Sequence, residues 1–286
     1  MFGYARPTSL ADALAMLATE PDARPLMGGT DLLVAVRKGS SRPPLVVDLK
    51  GVPELAASIE ERGGSLRITA ATVLSRVAAD ERVRALFPAL VEAADVVGSI
   101  QIRNRATLAG NLCNASPAAD TATPLIAYGA TLELTGIGGV RHLPVADFLI
   151  GPGQTALEPG ELVSAVEVPV PAGPAGSAFA RMTRRRGVDL ATVNLACAIG
   201  ADGVTRFGLG AVGPRPFAAI DSTGLLAADD ADPTTVDEAL RQLTAPAAPI
   251  SNVRASREYR EAMLLVLARR AAAEARRRRR EAIDGH

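Results

Sequence analysis

Apolar side chains recur every third or fourth position in some stretches of the chain and every second position in others. These two periods divide it into helices and strands. Leu10, Leu14 and Leu17 share one face of a helix over Ser9–Ala18, with Ser9 as its cap and Asp12 in its first turn. LVVDL (Leu45–Leu49) reads as a buried strand, and SLRITAATV (Ser65–Val73) as another. The pattern predicts one helix over Val83–Val97, bounded by Gly98, then a short helix over Thr121–Tyr128 and a strand over Ala130–Leu134. GPGQTALEPGE is a turn-rich loop before LVSAVEVPV (Leu162–Val170), which alternates as a strand. PAGPAG (Pro171–Gly176) is the clearest linker. Beyond it, Ala178–Met182, Thr192–Ile199 and Thr205–Val212 read as strands of one antiparallel sheet. Helices over Thr235–Leu243 and Arg257–Arg280 close the chain. This order predicts an α+β fold, not a doubly wound sheet.

One segment fits neither period. TLAGNLCNASPAAD (Thr107–Asp120) has nothing apolar larger than Leu and alternates small residues with Thr, Asn, Ser and Asp. Ala106, Ala109 and Gly110 would let a ligand approach the backbone. Thr107, Asn111, Asn114 and Ser116 offer neutral donors and acceptors, and residues 106–119 carry no charge. Such a set suits an anion such as pyrophosphate, whereas Asp120 suits hydroxyl donors. A solvated loop of Asx and Ser/Thr turns is the plainer alternative. MGGTDLL (Met27–Leu33) is a second candidate, because a Gly-Gly turn can aim successive N–H groups at an anion. It lacks the Gly-Lys-Ser/Thr of a phosphate loop and the G-x-G-x-x-G of a dinucleotide fold.

Composition narrows the classes. The 286 residues are 48% hydrophobic and 22% charged, as expected of a globular chain of two or three domains. Lys plus Arg equals Asp plus Glu at 31 each, so neither a nucleic acid nor a membrane surface is an expected partner. No apolar run is long enough for a bilayer span, and MFGYARPTSL has no secretory apolar core. Cys113 and Cys197 are too few for a disulfide framework or an iron–sulfur cluster. The expected compartment is cytoplasmic. His142 and His286 are the only histidines, which argues against a histidine metal site or a Ser-His-Asp triad. Cys113 reads as a small buried hydrophobe. The arginines of RMTRRRGVDLA (Arg181–Ala191) and of the run Arg276–Arg280 read as a solvated face and a solvated helix end, with a partner surface as the alternative.

Taken together, MGGTDLL, QIRNRATLAGNLCNASPAAD (Gln101–Asp120), GPGQTALEPGELVSAVEVP, FARMTRRRGVDLATVNLA and NVRASREYRE resemble, in order, the FAD-binding subunit of the molybdenum hydroxylases. That family includes xanthine dehydrogenase and the molybdenum carbon monoxide dehydrogenase. The resemblance implies a two-lobed FAD-binding domain of the vanillyl-alcohol-oxidase (PCMH) type, with lobes over 1–55 and 56–172. It implies a C-terminal α+β domain over 173–286 with a three-stranded antiparallel sheet. Non-covalent FAD is the implied cofactor. Met27, Gly28, Gly29, Thr30, Asp31 and Leu32 would hold the pyrophosphate and ribityl, and Ala106, Thr107, Gly110 and Asn111 would complete the cradle. Asn114 and Asp120 would reach sugar or ribityl hydroxyls, and Ile102 would pack near the adenine. Leu162 and Val163 would lie near a ring, and Arg181 near the flavin.

The implied role is electron transfer, with no catalytic residue and no metal in this chain. A large molybdopterin-binding subunit and a small [2Fe–2S] subunit would be partners, in a dimer of heterotrimers. The flavin would pass electrons from the clusters to NAD+, a quinone or O2. A free-standing FAD-dependent oxidoreductase and a non-catalytic binding module remain alternatives. One departure stands out. Family members have Gly-Gly where this chain has Ala109-Gly110, and Ala would be strained by about 1 kcal/mol if position 109 required a positive φ.

Overall fold

A computed structural model describes residues 2–285; His286 lies outside the described residues. The chain opens with β1 (Gly3–Ala5), α1 (Leu10–Thr19), β2 (Arg24–Leu26), α2 (Leu32–Lys38) and β3 (Leu45–Asp48). The three strands form a parallel sheet in the order β1-β3-β2. Ser9 caps α1 by accepting from the Asp12 N–H, a contact worth about 1 kcal/mol. Leu14 and Leu17 are buried, as their spacing predicts.

Next come β4 (Ile59–Arg62), β5 (Ser65–Thr69), α3 (Leu74–Ala79), α4 (Glu81–Leu86), α5 (Pro88–Asp95), α6 (Ile100–Arg103), α7 (Leu108–Cys113) and α8 (Ala122–Ala127). They are followed by β6 (Thr131–Gly136), β7 (Gly139–Pro144), α9 (Val145–Phe148), β8 (Leu149–Gly151), β9 (Gln154–Thr155) and β10 (Leu162–Pro169). A five-stranded sheet runs β4-β5-β10-β6-β7, with β10 antiparallel to both of its neighbours. Leu66, Ile68, Leu132, Leu134, Val166 and Val168 face the core, which continues under the first sheet.

The last segment holds β11 (Gly176–Met182), β12 (Val193–Ile199), β13 (Thr205–Gly210), β14 (Phe217–Asp221), α10 (Pro233–Thr244) and α11 (Arg257–Asp284). Its antiparallel sheet has four strands, not the three expected, because FAAID pairs with β13 as an edge strand. Strand β12 is buried along both faces. Val193, Leu195, Cys197 and Ile199 join the core under α11, while Ala196 packs with Ala89 and Ala127 of α5 and α8. All six residues of α8 are buried between this sheet and the preceding segment. The approach is close: a Cβ on Gly208 would lie 2.0 Å from Thr123 O.

Several sequence expectations are corrected. The helix expected over Val83–Val97 is two helices, because Pro88 cannot donate to the preceding turn and starts α5 instead. The strand from Ser65 stops at Thr69, and the loop before Leu162 contains the small β8-β9 pair. The run Arg276–Arg280 is a solvated end only at Arg277 and Arg280, which are exposed. Arg276 donates to Leu226 O, Arg278 pairs with Glu92 at 2.5 Å and donates to Ser177 O at 2.7 Å, and Arg279 donates to Gly200 O. These bonds stitch α11 to the sheet beneath it and to α5. No helix among the described residues is long and apolar enough to cross a membrane.

Candidate functional site

The two glycine-containing loops meet. Gly28 lies in the turn between β2 and α2, and a Cβ there would sit 2.3 Å from Arg105 O and 3.1 Å from Ala106 Cα. Only glycine permits this backbone contact. Gly29 has φ +74 and turns the chain into α2, whose Asp31 N-cap makes no side-chain cap bond. Thr30 and Met27 are half-buried, and Met27 packs on the core. The facing loop is fixed from behind, where Leu74 N donates to Ala106 O at 2.8 Å and Leu108 N to Thr72 O at 3.2 Å.

TLAGNLC is not a loop. Leu108–Cys113 forms α7, with Thr107 Oγ1 accepting from the Gly110 N–H at 3.0 Å. Six residues built around Ala and Gly show no periodic stripe, which hides so short a helix from a pattern reading. The Ala109 departure disappears with it. Ala109 is helical and buried, where Ala is better than Gly by about 1 kcal/mol. The strained residue is Ala115, at φ 46. Its carbonyl accepts from Gly153 N, and the Pro117 carbonyl accepts from Ala211 N.

Asn111 Oδ1 accepts from Thr121 Oγ1 at 2.7 Å, which leaves the amide NH2 as the donor of this side chain. Asn114 ends α7 and is exposed, as is Gly110. Cys113 is exposed rather than buried, correcting the sequence expectation. Its thiol is nevertheless pushed up to about 12 by desolvation, and the carboxyl of exposed Asp31 is also raised by desolvation. Ile102 is 38% exposed on α6, beside Ile100; Leu33 and Val34 are exposed on α2. Leu162 and Val163 are buried at the start of β10, against which α7 packs.

Asp120 is buried and bridges to the C-terminal sheet. Its Oδ2 accepts from Arg181 Nη1 and its Oδ1 from Asn194 Nδ2, both at 2.9 Å. Burial raises its pKa to about 6, against the lowering effects of Arg181 and Asn194. Asn194 was missed by sequence reasoning, though one amide inside the apolar run VNLACAI was a usable signal.

His142 lies on β7, with its Nε2 3.5 Å from Glu167 Oε2; Glu133 completes a set of donors within 4.8 Å. Arg67 holds Glu133 through Nη2 at 2.7 Å and Nε at 3.1 Å, so the cluster is an ion-pair network on the open face of the sheet.

Two family models cover this architecture. Residues 1–171 match the FAD binding domain in molybdopterin dehydrogenase, and residues 177–275 the CO dehydrogenase flavoprotein C-terminal domain. The chain belongs to the FAD-binding medium subunits of the molybdenum hydroxylases. Among members of that family, it is 33% identical to a putative xanthine dehydrogenase FAD-binding subunit of Escherichia coli K12, over 93% of each chain. It is 34% identical to the carbon monoxide dehydrogenase medium chain of Afipia carboxidovorans, over 94% of each. A chain of reconstituted CO dehydrogenase from Oligotropha carboxidovorans superposes with a TM-score of 0.90 at 34% identity, over 97% of this chain and 98% of that one. Quinoline 2-oxidoreductase from Pseudomonas putida 86 gives 0.86 at 31% identity, over 97% of each chain. The chain is thus the flavoprotein part of an oxidoreductase. The first family model names FAD as the cofactor of residues 1–171.

Proposed function

We propose that FAD lies in the cleft between the Met27–Leu32 turn and the Ala106–Asn114 segment, in a domain of the vanillyl-alcohol-oxidase (PCMH) type. The observation that carries this reading is the backbone contact of Gly28 with Arg105 and Ala106, which sets the two loops face to face. The lobes are residues 1–55 and 56–172, with 173–286 as the third domain. Met27, Gly28, Gly29, Thr30, Asp31 and Leu32 line one side; Ala106, Thr107, Gly110 and Asn111 line the other. N–H and amide groups bind the pyrophosphate without a countercharge, and Asn114 accepts or donates to hydroxyls. Ile102 flanks the adenine, and Leu162 and Val163 back the ring system. Asp120 and Arg181, already paired, present their remaining hydrogen-bonding capacity to ribityl and flavin.

When bound, FAD supplies the redox centre through which electrons from a small [2Fe–2S] subunit pass to an external acceptor (NAD+, a quinone or O2). The residues of this chain bind, orient and desolvate it. Substrate hydroxylation belongs to a large molybdopterin-binding subunit, and the complex is a cytoplasmic dimer of heterotrimers. The test is purification of the native complex with flavin, metal and partner analysis. Yellow protein that releases intact FAD on denaturation, in step with the two partners, is expected. Colourless protein that takes up no FAD on reconstitution would overturn the assignment.

A further inference from the structure

The end of the small-residue motif is held from the C-terminal sheet. Ala211, left-handed at φ 59 just beyond β13, donates its N–H to Pro117 O at 2.7 Å. Arg181 on β11 and Asn194 on β12 are cross-strand partners, so their side chains leave the sheet on the same face. Both reach Asp120. Arg181 Nη1 donates to Oδ2 and Asn194 Nδ2 to Oδ1, each at 2.9 Å. The row ends at Gly210, the partner of Asn194 on β13, where a Cβ would lie 2.2 Å from Asn194 Oδ1. Glycine at that position makes the room that the amide occupies.

Asn194 is fully buried, and its Oδ1 has no hydrogen-bond partner. An unpaired buried amide oxygen is destabilising, and an apolar side chain of similar size would avoid it. What the amide supplies is its NH2. Turned the other way, it would set Oδ1 against the Asp120 carboxylate, so the bond to Asp120 fixes its orientation. An ionised carboxylate has about four acceptor sites, two on each oxygen. Arg181 and Asn194 use one on each, which leaves capacity on both. The carboxyl torsion of an aspartate is broad, and a donor on each oxygen pins its plane.

We infer that Asn194 is a positioning residue: acting from the C-terminal sheet, it pins the Asp120 carboxylate and through it the grip of this chain on FAD. The inference rests on the cofactor reading above in taking Asp120 as a cofactor-facing residue. Burial raises the Asp120 pKa to about 6, against the lowering effects of Arg181 and Asn194. Without the Asn194 donor it rises further, because a hydrogen bond to the charged form is lost. The other groups at this point are the Thr123 hydroxyl of α8, which donates to the Asp120 carbonyl at 3.1 Å, and the Val96 carbonyl at the end of α5, which shares Arg181 at 3.3 Å. Of all these partners, Arg181 alone is charged.

The test uses the full-length chain, flavin-loaded and flavin-free, with Asn194→Leu, which keeps the volume and removes the donor. Asn194→Ser replaces it if the leucine variant does not fold. In urea unfolding of flavin-free protein, the pH at which the Asp120 contribution to stability disappears should move up by about one unit. FAD affinity at about pH 7, read from the change in flavin fluorescence, should fall at least about tenfold. In an Asp120→Ala background, where no carboxylate remains to be held, the same substitution should change FAD affinity less than about twofold. A role in packing alone would lower stability at every pH without moving that midpoint, and would weaken FAD binding in both backgrounds; either result overturns the inference. Parent protein that takes up no FAD overturns the cofactor reading along with it. Parent protein that binds FAD, with Asn194→Leu binding equally well, overturns this inference alone.

Discussion

Arg181 Nη1 donates to Asp120 Oδ2 at 2.9 Å, tying the last residue of the small-residue motif to a strand of the C-terminal sheet. Burial keeps the Asp120 pKa near 6 in spite of that partner, above the ~3.9 of an unfolded aspartate. In the interval between those values, the folded chain holds a proton that the unfolded chain has lost. The contribution to stability is therefore full below about pH 4 and disappears as pH rises through about 6. Asp120→Asn should flatten that part of the profile. Urea unfolding of flavin-free protein across the interval measures it, and an unchanged slope would place the titration elsewhere.

Gly28→Ala should give folded protein with little flavin. The added Cβ would lie 2.3 Å from Arg105 O, so the two loops must separate. The chain's secondary structure does not depend on that contact, whereas a shared cleft does. We expect FAD affinity to fall at least about tenfold, an expectation scaled from a lost charge-assisted contact. Visible absorbance against circular dichroism separates the two effects, and a yellow, normally folded variant would count against the cleft.

Asn111→Asp is a cleaner probe of charge. An aspartate still accepts from Thr121 Oγ1, so the local hydrogen bond survives. It also replaces the NH2 donor with negative charge facing the proposed pyrophosphate. Flavin retention should fall strongly while the unfolding free energy of flavin-free protein stays within about 0.5 kcal/mol of the parent. Unchanged flavin stoichiometry would reject the placement of this residue.

Ala115 holds a left-handed conformation at φ 46. Glycine there relieves about 1 kcal/mol of strain but restores about 0.4–1 kcal/mol of unfolded-chain entropy, so Ala115→Gly should be nearly neutral. Ala115→Val should cost on the order of 2 kcal/mol, because a β-branched residue is disfavoured at positive φ and this site is 3% exposed. Chemical denaturation of both variants checks the contrast; equal losses would point to packing rather than backbone strain.

Segments with a clear period were legible from the sequence. The spacing of Leu10, Leu14 and Leu17 gives α1, and the burial of β12 on two faces follows from its near-continuous apolar run. The motif residues stand out in the sequence as a candidate ligand-binding set, because fourteen residues without a large apolar side chain fit neither a strand nor a helix period. What stayed hidden depends on distant partners. Arg278 looks like one of five solvated cations until Glu92, 186 residues earlier, is folded against it. Asn194 acquires its meaning only when Asp120 arrives, and β14 is a strand only because β13 offers it an edge. The φ of Ala115 is set by turns that no propensity scale encodes.

The contact of Gly208 with Thr123 O brings main chain against main chain between α8 and β13. A seam made of main chain cannot be retuned by swapping side chains on either part. The C-terminal segment is therefore a poor cassette for exchange with another member of the family: even a graft that preserves every surface residue must reproduce the path of both backbones. In a chimaera carrying a foreign C-terminal segment, the first casualty would be the fit beneath α8, well before any change in the cofactor loops.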